Sequence, residues 1–551
     1  PTAKFQGSAS LFMRSNNESI GLSARLQGAG NHFYWKANGT FIDYADYKVP
    51  TGSIQYYSYD IPLHNHRLRN TAGFEHDGSM TFGYRSHNFH TELKLSDAYS
   101  KSGFFANAHG LEVRLSDIDY DRSRRDIDLP YQSVNHLRVM SHTVYEQGSL
   151  ALEADLAYQN NHRKELSEPV SHGYMPVPPN SLEREFKKDT YTANLIARLS
   201  LGSRHTLTAG FNGEYQHNRR SGWGFIMPDF ETASFGTYAF DRFTVRKDLI
   251  LNAGVRYDHV RTSIHSYRDW FKTPVSATDS VFKERSEDLR RSFNSLTWSA
   301  GVNYSVGQWI LKANVGKSFR VPIPKELGTD GVNYHIFRYE KGNPGLNPEE
   351  SYQLDAGIHW GNDRVTVQFD PYLNYFPNFI YMNPTPDYYE GLQWYYYTQS
   401  RVIRWGFELQ TDWKILPSLD AELKGEYLYA EQLSGEKKGY TLPFSTPWSA
   451  DATLKYGFCR KKAGNEGFVA LNLHVTGRQN RIVPPEKPTS GYYTINLNAG
   501  KDFAFGDKNL RLTLNAENLL NRKYYDHTSF YRLIDVPEPG RNVALMATFE
   551  F

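Results

Sequence analysis

The chain has 551 residues, 15% of them aromatic with Tyr (39) the commonest, and a mean hydropathy of −0.62. A net charge of +2, from 62 basic and 60 acidic residues, excludes the one-sided balance of a nucleic-acid binder. The single Cys459 excludes an internal disulfide and a Cys-based metal cluster. No run approaches the roughly 20 apolar residues of a membrane helix.

Alternation with period two dominates the chain. Candidate strands fall at 5–14, 17–28, 31–44, 68–86, 89–106, 134–146, 149–163, 187–201, 203–219, 232–247 and 249–264. They continue at 292–306, 307–320, 349–361, 363–381, 392–414, 417–433, 447–459, 466–480, 492–504, 508–520 and 541–551, which makes 22. In the seventh segment Leu150, Leu152, Ala154, Leu156 and Tyr158 share a face opposite Glu153 and Asp155. Leu471, Leu473 and Val475 alternate with Asn472, His474 and Thr476, and Leu510, Leu512, Leu514 and Ala516 with Asn509, Arg511, Thr513 and Asn515. Charges on the second face rule out a dry core and suit a polar lumen. The last segment places Val543, Leu545, Ala547, Phe549 and Phe551 on one face.

The connections alternate too. Short turns at 28–31, 86–88, 146–148, 202–203 and 361–363 join one end, and most connections at the other end are long: 45–67, 107–133, 164–186, 265–291, 321–348 and 521–540. Short periplasmic turns opposite long extracellular loops are the pattern of outer-membrane barrels. The expectation is an all-β, 22-stranded antiparallel transmembrane β-barrel of the bacterial outer membrane, with several strands projecting beyond the roughly 9–11 residues a crossing needs. Both termini fall on the periplasmic side.

The longest pause in the alternation runs from Ser318 to Ser351. Pro322, Pro324, Pro344 and Pro348 preset backbone angles there, and a Tyr334-His335 pair sits between them. Arg320, Arg338 and Lys341 add positive charge that suits an anionic ligand, or simply faces solvent and lipopolysaccharide phosphates. Aromatic runs form a second constellation: Trp394 through Tyr397, Tyr388-Tyr389, Tyr524-Tyr525 and Trp223-Gly224-Phe225. Those on strands, such as Trp394, are expected in the interfacial belt. Tyr388 and Trp223 are expected to line a vestibule for a planar or catecholate ligand. His64 and His66 at i, i+2 spacing would point two rings to one side of a strand, which is not yet a metal site. His87 and His90 flank a periplasmic turn and are poorly placed for external capture. His162, His172, His217, His265 and His527 are expected in loops or at strand ends.

These residues resemble the TonB-dependent outer-membrane receptors. The likeness is carried by Phe319-Arg320-Val321-Pro322, by Asn343-Pro344-Gly345-Leu346-Asn347-Pro348, by Asn515 through Leu520, and by Pro539-Gly540-Arg541 leading to the terminal Phe551. The stretch from Leu129 to Glu165 is similar to the iron- and metal-uptake branch. The resemblance implies a receptor that binds a scarce iron complex, haem or ferric siderophore, and imports it with energy from the TonB–ExbB–ExbD complex. Zinc or cobalamin as cargo, and a passive diffusion porin, are the alternatives; porins have fewer strands, roughly 16–18. No enzymatic motif is seen, and no enzyme cofactor or nucleic-acid partner is expected. A barrel this wide is filled in the family by an N-terminal plug; residues 1–551 read as barrel alone, so the plug is expected to be missing. The resemblance also implies that the barrel-assembly machinery reads the strand bearing Phe549 and Phe551, and a surface lipoprotein is a conceivable partner. In the haem branch a histidine between two such boxes supplies an axial imidazole to haem iron. That assigns His335 as a metal ligand, with Tyr334 as the alternative donor; the competing reading is a loop histidine that binds nothing.

Overall fold

The computed structural model describes residues 4–56, 59–105, 123–333, 336–389, 391–458 and 466–551. Its alternating segments form one sheet of 24 strands, of which 22 make a closed antiparallel barrel. The wall runs through Lys4–Arg14, Ile20–Ala29, Phe33–Tyr44, Gly73–Arg85, Phe89–Gly103, Tyr131–Gln147, Leu150–Leu166, Leu182–Leu201, His205–Ser221, Phe230–Arg246 and Leu249–Ile264. It continues through Leu289–Val306, Trp309–Arg320, Glu349–Gly361, Val365–Tyr389, Leu392–Leu416, Leu419–Gln432, Ser449–Phe458, Gly467–Thr476, Tyr492–Phe505, Lys508–Glu517 and Asn542–Glu550. Among the described residues no helix is long and apolar enough to cross a membrane; the crossing is made by strands.

Closure joins the first strand to the last, from Ser8 opposite Glu550 to Arg14 opposite Ala544. Gly7 and Phe551 exchange backbone hydrogen bonds of 2.7 and 2.9 Å. The Phe551 ring lies over Gly7, where a Cβ would come within 2.5 Å of it, so this close approach requires glycine. The two faces divide as the alternation demands. Leu152, Leu156, Leu471, Leu473, Leu512 and Leu545 are exposed on the outer face. On the lumenal face Asn472 donates to Asp451 at 3.2 Å, Asn496 donates to Asn472 at 2.9 Å, and the Asn518 amide donates to Asn496 at 3.0 Å. Such side-chain ladders tie strands together where no apolar core exists.

Every candidate strand is present, and 249–264 and 349–361 coincide with the observed bounds. The largest departure is at 363–381, where the strand continues eight residues further, to Tyr389 (389 − 381). The extension contains Pro384 and Pro386, which lie where the pairing with the next strand is irregular, between Pro384 and Tyr388, and proline is tolerated at such a bulge. The result is a hairpin with two 25-residue arms that stands well outside the bilayer. His64–His66 is a single 3-10 turn with Asn65 in the left-handed region, not a strand, so strand geometry does not pair those two rings.

The loop at 321–348 leaves the wall between the thirteenth and fourteenth strands, and the loop at 45–72 between the third and fourth. Ten strands separate them (13 − 3) in a ring of 22, so they start on nearly opposite sides of the mouth. Yet they share one hydrophobic cluster. Phe337 of the first packs with Val49, Ile54, Ile61, Leu63 and Leu68 of the second, together with Phe105, Ile534 and Val536 from two further loops. Phe337 also meets the Tyr531 ring edge-on at 6.2 Å. The long Pro- and Gly-rich pause is therefore a span across the mouth. Half of a 28-residue loop (348 − 321 + 1) reaches roughly 46 Å when extended. Replacing Phe337 by Ala should remove about 3 kcal/mol of this packing. The expected outcome is roughly a hundredfold faster hydrogen exchange at 321–348, with the barrel strands unchanged.

Candidate functional site

The two sequence boxes at the ends of the loop at 321–348, the seventh extracellular loop, are structural. Arg320 donates to both oxygens of Glu326, at 2.9 and 2.8 Å, and to Glu349 at 3.2 Å. Glu326 also accepts the Ile323 amide at 2.9 Å and so starts the short helix Pro324–Gly328. Leu346 is buried against Phe230, Ile264, Leu327 and Ile380. Asn343 Oδ1 accepts the Gly345 amide at 2.9 Å, and the Pro344 carbonyl accepts from Arg291. Phe319 continues the wall opposite Glu350, and Pro322 precedes the helix. The cations of this loop are committed to carboxylates as well. Arg338 donates to Glu340 at 2.8 Å, Lys325 reaches the other Glu340 oxygen at 2.7 Å, and Lys341 reaches Asp330 at 2.7 Å. Burial alone would raise the carboxyl of Glu340, but Arg338 and Lys325 hold it below its ordinary value.

A larger concavity opens beside this loop. A cavity of about 890 Å³ is lined by five extracellular segments, including Gln55, Phe337, Tyr388, Tyr395, Lys487, Tyr492, Arg522, Tyr524, Tyr525 and Arg532. Tyr388, Tyr395, Tyr492, Tyr524 and Tyr525 form part of its wall. Tyr492 and Tyr524 stack at 4.1 Å, and the Arg522 guanidinium lies 4.1 Å from the centre of the Tyr493 ring. Arg338 stacks over Tyr395 at 5.2 Å and over Phe530 at 5.0 Å, which stiffens the wall from behind. Burial pushes the Tyr395 phenol up to about 12, and burial also raises those of Tyr524 and Tyr525, so all three stay protonated. Arg532 pairs with Glu486 at 2.9 Å. Behind them the imidazole of His527 is 2% exposed, bonded through Nδ1 to Thr489 Oγ1 at 2.9 Å, with Nε2 3.7 Å from Glu486. Desolvation, with Arg532 nearby, depresses its pKa to about 4.

Of the residues singled out in the sequence, Tyr388 lines this cavity and Arg338 braces it. Arg320 is the clamp of its own loop, not part of the lining. Trp223 is buried: its indole donates to the Asn180 carbonyl at 3.0 Å, and its own carbonyl accepts from Trp270. Trp394 is not a belt residue, because its strand has already left the bilayer; it packs edge-on against buried Tyr339 at 5.8 Å. His162 and His217 lie on strands, His162 paired with Glu185 at 2.7 Å. Tyr334 and His335 lie outside the described residues. Tyr492, Arg522, Lys487 and Arg532 were not singled out. The Tyr524-Tyr525 run pointed to their neighbourhood, but only the folding of five loops brings them together.

The family model for the TonB dependent receptor-like β-barrel matches residues 11–519. The chain belongs to the TonB-dependent receptor family. It is a barrel of the bacterial outer membrane, and membership implies interaction with TonB. Among solved structures, a copper transporter, OprC, is similar over 100% of this chain and 81% of its own, at 15% identity and a TM-score of 0.77. The FrpB iron transporter of Neisseria meningitidis matches at 13% identity and a TM-score of 0.73, covering 99% of this chain and 81% of its own. The siderophore receptor PirA of Acinetobacter baumannii matches at 14% and 0.71, covering 100% and 81%. At these identities the likeness is one of fold.

Two outcomes are expected for this receptor's loops. Glu326→Ala deletes the bonds to Arg320 and to the Ile323 amide and should destabilise the seventh loop by about 1.5–3 kcal/mol, measured as faster proteolysis within 321–348. His527 is neutral when folded, with a pKa of about 4 against 6.5 unfolded, so the unfolded segment binds the extra proton. The His527 contribution should therefore be intact above pH 6.5 and lost as pH falls towards 4. Glu486 is raised by burial and acts in the opposite sense. The contribution of His527 is thus the difference in hydrogen exchange at 518–541 between wild type and His527→Gln.

Proposed function

We propose that this receptor captures an anionic iron complex, a ferric siderophore or haem, in the cavity between its extracellular loops and imports it with energy from TonB. The observation that carries this reading is the cavity's wall. Protonated phenols, tyrosine faces and the cations Lys487, Arg522 and Lys523 line a space of about 890 Å³, and its two carboxylates are already engaged, Glu486 by Arg532 and Asp535 by Tyr525. That is within the range of small-ligand sites, roughly 300–1,000 Å³. Aromatic faces stack on planar chelates, and cations answer carboxylates, catecholates or propionates. Similarity of fold to a copper transporter, an iron transporter and a siderophore receptor supports metal or metal-chelate cargo in general. Transport through a gated receptor, rather than catalysis or passive diffusion, accords with the family.

Within this reading His335 is proposed as an axial ligand if the cargo is haem, with Tyr334 as the alternative oxygen donor. The experiment is a parallel titration of the purified receptor with haemin and with a ferric tris-catecholate. Haemin is followed in the Soret band and the catecholate by quenching of tyrosine and tryptophan fluorescence. One of the two should saturate. Tyr388→Ala, at a side chain 62% exposed and so of little consequence for stability, should weaken that ligand about five- to tenfold through loss of one aromatic contact. If haemin is the ligand, His335→Ala should abolish the Soret shift. Saturation by neither ligand, or indifference to Tyr388→Ala, would remove the cavity from the account.

A further inference from the structure

Among the described residues, the lumenal wall carries two isolated histidine–carboxylate pairs, His359 with Asp370 at 2.7 Å and His474 with Asp451 at 3.1 Å. At a third place the pair becomes a cluster. His142 Nδ1 lies 2.7 Å from Asp155 Oδ1, directly across two neighbouring strands, and Glu153 stands two residues along on the same face. One donor atom from each of the three lies within 4.8 Å of the others, the only such group among the described residues. The opposite alternation sends Leu152, Ala154 and Leu156 to the lipid, which fixes all three donors on the lumenal side.

The neighbouring strand places further titratable groups beside the cluster. Glu92 is the register partner of His142 on its other side, and the His90 ring lies 6.0 Å from the His142 ring at 72°. Tyr34 bonds His90 Nε2 at 2.7 Å and also contacts Glu92, which holds both in place. Its ring can lie there because its register partner is Gly83, where a Cβ would come within 2.0 Å of the ring. The cluster sits low in the lumen: His142 is five residues from the end of its strand at Gln147 (147 − 142), and Asp155 five from Leu150 (155 − 150). Lys94 is the cation one pair further along the same face.

We propose that His142, Glu153 and Asp155 form a binding site for a divalent first-row transition cation near the periplasmic end of the lumen. One imidazole and two carboxylates, without thiolate or thioether, favour borderline cations such as Zn²⁺ over soft Cu⁺. Three protein donors leave a position for water or an incoming ligand. The site is separate from the extracellular cavity and does not depend on which ligand that cavity takes.

The test is Zn²⁺ stoichiometry by equilibrium dialysis of the purified, detergent-solubilised receptor. Co²⁺ absorption in the visible region is a second readout that reports nitrogen–oxygen coordination directly. Wild type is compared with His142→Ala, Asp155→Asn and Glu153→Gln, and with His474→Ala as a control at an isolated pair. Heat-modifiable electrophoretic mobility verifies that each variant is a folded barrel. His142→Ala and Asp155→Asn should each lose one equivalent of Zn²⁺ and its cobalt spectrum. Glu153→Gln, at the donor not paired with His142, should weaken that equivalent at least about tenfold, and His474→Ala should keep it. Wild-type stoichiometry retained in His142→Ala, or no uptake by wild type, would overturn the site.

Discussion

Backbone amides and carbonyls have no partner in the hydrocarbon of a membrane, and this constraint organises the whole protein. A sheet can satisfy it only by closing, because an open edge would leave a row of unpaired groups in lipid. Closure here is the pairing of the first strand with the last, sealed by the reciprocal bonds of Gly7 and Phe551 and by a hydroxyl pair between Ser10 and Thr548 at 2.9 Å. The remaining features follow from the size of the ring. Twenty-two strands enclose more space than their own side chains can fill. The lumenal face is accordingly polar, and the apolar packing moves to the loops. The clusters around Phe337 and around Leu346 lie in the extracellular loops and at the rim of the wall, not inside the barrel.

That displacement explains where function gathers. The seventh loop is anchored at its base by Arg320, Glu326 and Glu349 and at its far end by Phe337 among residues from the opposite wall. A loop fixed at both ends holds its neighbours in register. The Tyr388–Tyr395 hairpin tip and the loops carrying Lys487 and Tyr524 thereby face one another across a single cavity. The buried His527, Glu486 and Arg532 brace the far wall of that cavity.

The barrel was legible in the sequence because period-two alternation is a local signal that every strand repeats. Its failures are equally physical. The strand expected to end at 381 continues to Tyr389 through Pro384 and Pro386, since a bulge tolerates what a regular ladder does not. Trp394 was assigned to the membrane belt because alternation does not say where a strand leaves the bilayer. Arg320 looked like a ligand cation because its partners Glu326 and Glu349 are six and 29 residues away. Trp223 looked like a vestibule residue because its burial comes from loops distant in sequence. Of the cavity, Tyr388 and the Tyr524-Tyr525 run were visible as aromatic runs, but their convergence with Tyr492 and Arg522 depends on loop-to-loop contacts with no periodic signature.

The most direct measurement is anomalous diffraction at the iron edge from crystals of the receptor grown with the ferric complex that it binds. A single strong iron peak is expected within the extracellular cavity, bordered by Tyr388, Tyr492 and Tyr524. Iron located only outside that cavity, with its tyrosine wall unchanged and solvent-filled, would contradict it.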